Sequence, residues 1–87
     1  MTSDCAEADR RALGRALRAL RERAGLTQKQ LAERAASDDT YLSRIEHGAI
    51  DPGWSTLRRH LRALDASPRQ LADAITKAER HEAKEQR

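Results

Sequence analysis

With 87 residues the chain has room for one domain and one modest core, which leaves no separate cofactor domain and no second repeat. Apolar residues make up 38% and charged residues 36%, with no Phe, one Trp and one Tyr; no run of β-branched and aromatic residues is present, so an all-α fold is expected. A formal net charge of +3 and a pI near 9.6 permit a polyanionic partner without requiring one.

Residues 1–8 are short and polar, with Asp4 as a weak start signal, and are expected to form a flexible N-terminus. From about Asp9 the chain becomes periodic. Leu13, Leu17, Leu20 and Ala24 recur at helical spacing, and Arg10, Arg11, Arg15, Arg18 and Arg23 take the remaining faces. Arg18 and Arg23 are read as solvated helix arginines. Gly25 sits where a left-handed C′ residue ends this first helix, and Leu26 follows to close the cap.

The second helix is announced by Thr27 as N-cap and Gln30 at N3, a capping box, with Leu26 and Leu31 placed as the hydrophobic staple. Leu31, Ala32 and Ala35 are its buried positions. Asp38, or failing that Ser37, caps the third helix, and Gly48 stops it. Winding residues 38–47 at about 100° per residue puts Leu42 and Ile45 on one side and Thr40, Ser43, Arg44 and His47 on the other. An outward stripe of short hydroxyls, one Arg and one His suits base edges in a DNA major groove.

The fourth helix is expected to begin near Gly53, with Asp51 and Pro52 as an alternative cap and N1 pair, and to carry Trp54, Leu57, Leu61 and Leu64 inward. Trp54 is read as core or a helix anchor and His60 as half-buried and hydrogen-bonded. The fifth opens with Ser67 as N-cap, Pro68 at N1 and Gln70 at N3. Its stripe of Leu71, Ala74, Ile75 and Ala78 can pack within the chain or form a two-fold interface, and the interface is the reading favoured in so small a domain. The single helix-turn-helix domain is expected to span residues 9–81, with 82–87 a frayed tail.

Cys5 is the lone cysteine and has no CxxC or histidine partner, and His47, His60 and His81 fall on different helices, so no metal and no cofactor are expected. No nucleophile beside a base, paired buried carboxylates or Gly-rich phosphate loop is present, so the chain is not read as an enzyme. No apolar run approaches the roughly 20 residues that span a bilayer, and the N-terminus has no signal-peptide apolar region; a cytoplasmic protein without membrane contact is expected.

Taken together, LGRALRALRERAGLTQKQLAERA, YLSRIEHG, PGWSTL and RALDASPRQL resemble the phage-repressor and Cro type (XRE family) of helix-turn-helix domain, over about Leu13 to Leu71. The resemblance implies a compact, lambda-repressor-like bundle of five helices that binds double-stranded DNA, as a homodimer, at a pseudo-palindromic operator. Carried over by position, it implies base reading by Asp39, Thr40 and Arg44 with Ser43 alongside. Phosphate contacts fall on Gln28, with Thr27, Lys29, Tyr41 and His47 as further candidates. Arg21 and Glu46 match a structural salt bridge. Arg44 is the best placed for direct readout, since a guanidinium bridges O6 and N7 of guanine.

Two departures stand out. Ala36 and Ser37 occupy the turn where the family has Gly and then Val, so a looser turn is expected. Asp38, Asp39 and Asp51 bring carboxylates near the expected path of the phosphates, although Asp39 could accept from cytosine N4. Two functions compete on this reading: a sequence-specific transcriptional regulator, of repressor or controller type, and a protein-interaction module of antitoxin or adaptor type with a protein partner in place of DNA.

Overall fold

In the computed structural model, residues 2–85 are described, with side chains from 6 to 84. They form five helices, α1 (Thr2–Arg23), α2 (Gln28–Arg34), α3 (Asp39–Glu46), α4 (Trp54–Ala63) and α5 (Pro68–Glu85), and no strand. The first four end by the same device. In each a left-handed C′ residue lets two backbone amides reach back to the last turn: Gly25 and Leu26 to the carbonyls of Glu22 and Arg21, Ala36 and Ser37 to Glu33 and Ala32, Gly48 and Ala49 to Ile45 and Arg44, Asp65 and Ala66 to Arg62 and Leu61.

The starts are equally explicit. Thr27 and Gln30 form the capping box, with Gln30 N donating to Thr27 Oγ1 at 3.1 Å and Thr27 N to Gln30 Oε1 at 2.9 Å. Ser67 and Gln70 repeat it at 2.7 and 3.1 Å. Asp38 caps α3 by accepting from Tyr41 N at 2.7 Å. Gly53 precedes α4 without a side-chain cap, so the alternative pair Asp51 and Pro52 is not used.

Two apolar clusters hold the helices together. Leu17, Leu31, Leu42, Ile45 and Leu57 join α1 through α4, and Ala16, Leu20, Leu61, Ala66 and Leu71 join α1, α4 and α5. Leu42 and Ile45 are the anchors that press α3 onto the domain, each contributing roughly 1.5–3 kcal/mol by burial.

Five sequence expectations are corrected. Helix α1 begins at Thr2 rather than near Asp9, because the leading segment holds neither Gly nor Pro and Ala6, Glu7 and Ala8 favour a helical N-terminus. Helix α5 continues to Glu85, tied to the antiparallel α1 by Arg11 Nε donating to Glu82 Oε1 at 3.0 Å; Gln86 and Arg87 of the expected tail, like Met1, lie outside the described residues. That long α1 also covers the apolar stripe of α5. Leu71 and Ala78 are buried inside their own chain and are not free for a two-fold interface, while Ala74 and Ile75 keep partial exposure. Trp54, expected inside, is 57% exposed.

His60 is fully buried rather than half-buried. Its Nδ1 donates to the Thr56 carbonyl at 2.8 Å, and no protein group meets its Nε2.

Candidate nucleic-acid interface

The eight residues of α3 divide as the helical wheel requires. Leu42 and Ile45 face the core, while Asp39, Thr40 and Arg44 are exposed and Ser43 is half-exposed. Arg44 has no ion-pair partner among the described residues, so its guanidinium is available to a ligand. The Asp38 carboxylate is engaged in its cap, which leaves Asp39 and Asp51 as the acids displayed near this face.

The orientation of that face is set from behind by a buried polar cluster. Arg21 donates to Glu46 from Nε at 2.7 Å and from Nη2 at 2.9 Å, and from Nη1 to the Leu26 carbonyl at 2.8 Å. The hydrogen bonds to Glu46 hold the Arg21 guanidinium above its already high range, so it is a permanent cation under folding conditions. A bidentate pair of this kind fixes both a distance and an angle between α1 and the end of α3. The Glu46 side chain is 2% exposed, so neither partner can leave without stranding the other.

Gln28 joins the same cluster, its Nε2 donating to Glu46 Oε1 at 2.9 Å. Its amide is therefore aimed, with one proton committed to Glu46 and one left over. Thr27 spends its lone pair on the capping box and keeps its hydroxyl proton. Lys29 is exposed on the first turn of α2, and Tyr41 packs half-buried against the core. His47 is turned back onto its own helix, with Nδ1 2.7 Å from the Ser43 carbonyl. That bond requires the proton on Nδ1, so a neutral His47 presents a lone pair at Nε2 and has no proton for a phosphate.

Two residues that position this face were not singled out in the sequence. At Gly14 an added Cβ would stand 2.4 Å from the Ile45 carbonyl oxygen and 2.6 Å from that of Glu46, so α1 and α3 cross with backbone nearly touching backbone. The available signal was a glycine inside an otherwise strong helix, which costs about 1 kcal/mol against Ala unless close packing offsets it. Arg10 Nε donates to the Gly48 carbonyl at 3.1 Å and pins the end of α3 from the same side.

Two short helices joined by a tight turn, the second one polar outside and locked inside to α1, define a helix-turn-helix fold. Residues 12–74 match the family model described as "Helix-turn-helix domain", and the chain belongs to that family. It is 36% identical over 63 residues to an uncharacterized HTH-type transcriptional regulator, y4dL, of Sinorhizobium fredii; the match takes in 68% of this chain and 32% of the relative. The chain thus spans about a third of the length of that curated relative.

Among solved structures, the restriction-modification controller protein C.AhdI of Aeromonas hydrophila superposes with a TM-score of 0.73 at 34% identity, covering 75% of this chain and 94% of that one. The clp gene regulator ClgR of Corynebacterium glutamicum superposes with a TM-score of 0.84 at 31% identity, covering 90% and 83%.

Proposed function

We propose that this chain is a sequence-specific DNA-binding transcriptional regulator, of repressor or controller type, that occupies a pseudo-palindromic operator as a homodimer. The observation that carries the reading is the exposed stripe Asp39, Thr40, Ser43 and Arg44 on a helix whose opposite side is clamped by Leu42, Ile45 and the Arg21–Glu46 pair. A rigidly held polar helix face reads base edges, whereas a mobile one loses its register. Similarity to a controller protein and a gene regulator at 34% and 31% identity supports the same assignment.

Within it, Arg44 reads guanine, Thr40 and Ser43 supply hydroxyls to neighbouring edges, and Asp39 accepts from cytosine N4. Gln28, Thr27 and Lys29 at the N-terminus of α2 hold the phosphate backbone, with Tyr41 beside them, while neutral His47, its Nδ1 proton committed to the Ser43 carbonyl, takes no part. In a dimer, two copies of α3 spaced by about 34 Å enter successive major grooves. The role is one of binding, not catalysis, and its setting is the cytoplasm; no helix among the described residues is long and apolar enough to cross a membrane.

The test is selection of random duplexes by the purified protein, followed by binding of the enriched site to wild type and to folded Arg44→Ala. An inverted repeat should emerge, and Arg44→Ala, lost from both subunits, should weaken binding to it at least about 30-fold, from the roughly 2–6 kcal/mol of two bidentate contacts. The exposed acidic residues Asp38 and Asp39 favour one competing reading, a protein-interaction module. No enriched motif, with residual binding that ignores the substitution, would decide for it.

A further inference from the structure

Behind the reading face, α1 and α5 enclose an open groove of about 480 Å³. Its floor is made of Ala19, Ala74 and Ala78, and its rims carry Arg23 on α1 and Lys77, Arg80 and Lys84 on α5. Arg15 adds a further guanidinium, and among the described residues no carboxylate lines it. Arg23, Lys77, Arg80 and Lys84 are exposed, and among the described residues no ion pair engages them.

The position of the groove separates it from the operator. Gly14 and Arg21 mark the side of α1 that meets α3, and Ala19 lies roughly 140° round the helix from Gly14 and about 160° from Arg21. The cations therefore point away from the recognition helix, while the reading face displays Asp39 and Asp51. The groove thus gathers four exposed cations on a side of the chain that the reading face, with Arg44 and Lys29 as its own cations, does not use.

We infer that the α1/α5 groove is the docking site for an acidic amphipathic helix of a partner protein. Alanines on the floor let a third helix axis approach to about 8 Å, closer than larger side chains allow. Apolar residues of that helix would cover the alanines, and Glu or Asp on its two flanks would meet Arg23 on one rim and Lys77, Arg80 and Lys84 on the other. On α5 the groove runs from Ala74 to Lys84, about ten residues or roughly 15 Å, which is close to three turns of a bound helix. A nucleic-acid duplex is too wide to reach a floor set between two packed helices, so its phosphates could use the rims only. The partner would thus be recruited on the side facing away from the operator, compatible with simultaneous DNA binding.

The experiment uses the full chain and stapled, fluorescein-labelled helical peptides of about four turns, with one Leu/Ala face and flanks of Glu, Gln or Lys. Anisotropy titrations should show the Glu peptide binding at least about tenfold more tightly than the Gln peptide, as several weak surface pairs acting together imply, and the Lys peptide not at all. Lys77→Glu combined with Arg80→Glu should abolish that preference at unchanged helicity and melting temperature. Arg69→Glu, also on α5 but outside the groove, should keep it. Equal binding of the Glu and Gln peptides, or equal loss in Arg69→Glu, would overturn the inference. So would loss of duplex binding in the double variant, which would assign these cations to nucleic acid. Dissociation of a homodimer in the double variant during sedimentation would also overturn it, by assigning the groove to a second copy.

Discussion

Gly14→Ala puts the packing of the recognition helix to a direct test. The new methyl would stand 2.4 Å from Ile45 O, 2.6 Å from Glu46 O and 2.8 Å from Glu46 C, all backbone atoms that cannot rotate aside. Relief to 3.0 Å requires α1 and α3 to separate by about 0.6 Å, against Leu42, Ile45 and the Arg21–Glu46 bonds that hold them together. Overpacking of this kind costs about 1–3 kcal/mol, and a contact against rigid backbone belongs near the upper end. Alanine returns about 1 kcal/mol of helix propensity. The net expectation is a loss of about 2 kcal/mol, or a Tm lower by roughly 10 °C for a domain of this size. Thermal and urea unfolding followed by circular dichroism measure it, and Ala19→Gly, at an exposed position of the same helix, calibrates the propensity contribution alone. Operator affinity should fall as well, since the base-reading side chains move with α3. A Gly14→Ala protein as stable as wild type would refute the reasoning, because the close crossing would then carry no constraint.

Glu46→Ala leaves Arg21 with the Leu26 carbonyl as its remaining partner and releases Gln28, so a loss of about 3–5 kcal/mol is expected, with less for Glu46→Gln; a melting curve identical to wild type would count against it. His60→Leu should raise Tm by about 5 °C, because it removes a buried ring nitrogen that no protein group satisfies, worth about 1–3 kcal/mol, against a smaller repacking cost; differential scanning calorimetry showing a lower Tm would reverse the sign. Trp54, exposed on α4 beside Arg58 and Arg62, is the aromatic anchor available for a two-fold contact now that Leu71 and Ala78 are committed to α1. Trp54→Ala, which removes the anchor from both copies, should weaken dimerisation roughly 1,000-fold, from about 4 kcal/mol for two interface anchors, without loss of stability, as measured by sedimentation. Dissociation by Ile75→Glu, with none by Trp54→Ala, would return the interface to α5.

What was legible in the sequence is what local chemistry determines. Thr27 with Gln30, Ser67 with Gln70, Asp38, Gly25 and Gly48 each act within one turn of their own position, and each sits in the structure where its local rule places it. The Arg21–Glu46 pair, 25 residues apart in the chain, was legible for a different reason: it matched a family pattern, not a spacing rule. The turn between α2 and α3 shows where local preference is overruled. Ala36 holds φ at 53°, a left-handed conformation that costs a non-glycine residue about 1–2 kcal/mol, and the helix end closes as it would with glycine. Ser37 N to Ala32 O at 2.8 Å and the burial of Leu31 and Leu42 on either side impose the shape, so the expected looseness does not occur.

The fate of the α5 stripe is decided by α1. A stripe of apolar residues on a helix states that the face will be covered, not by what, and the α5 residue Leu71 is covered by Ala16 and Leu20 of α1 rather than by a second copy. Ala12, buried at 1%, marks the strip where α1 presses on α5 beside Glu79 and Glu82. Once that contact exists, Leu71 is consumed inside the chain, the cations of α1 and α5 are gathered along the alanine-floored groove between them, and the large apolar side chain left exposed is Trp54. The same packing carries through Gly14 and Arg21 to the other side of α1, where it fixes α3. One helix therefore sets the angle of the reading face on one flank and builds a cationic groove on the other. Substitutions in that groove should leave operator recognition intact, whereas substitutions at Gly14 or Arg21 should not.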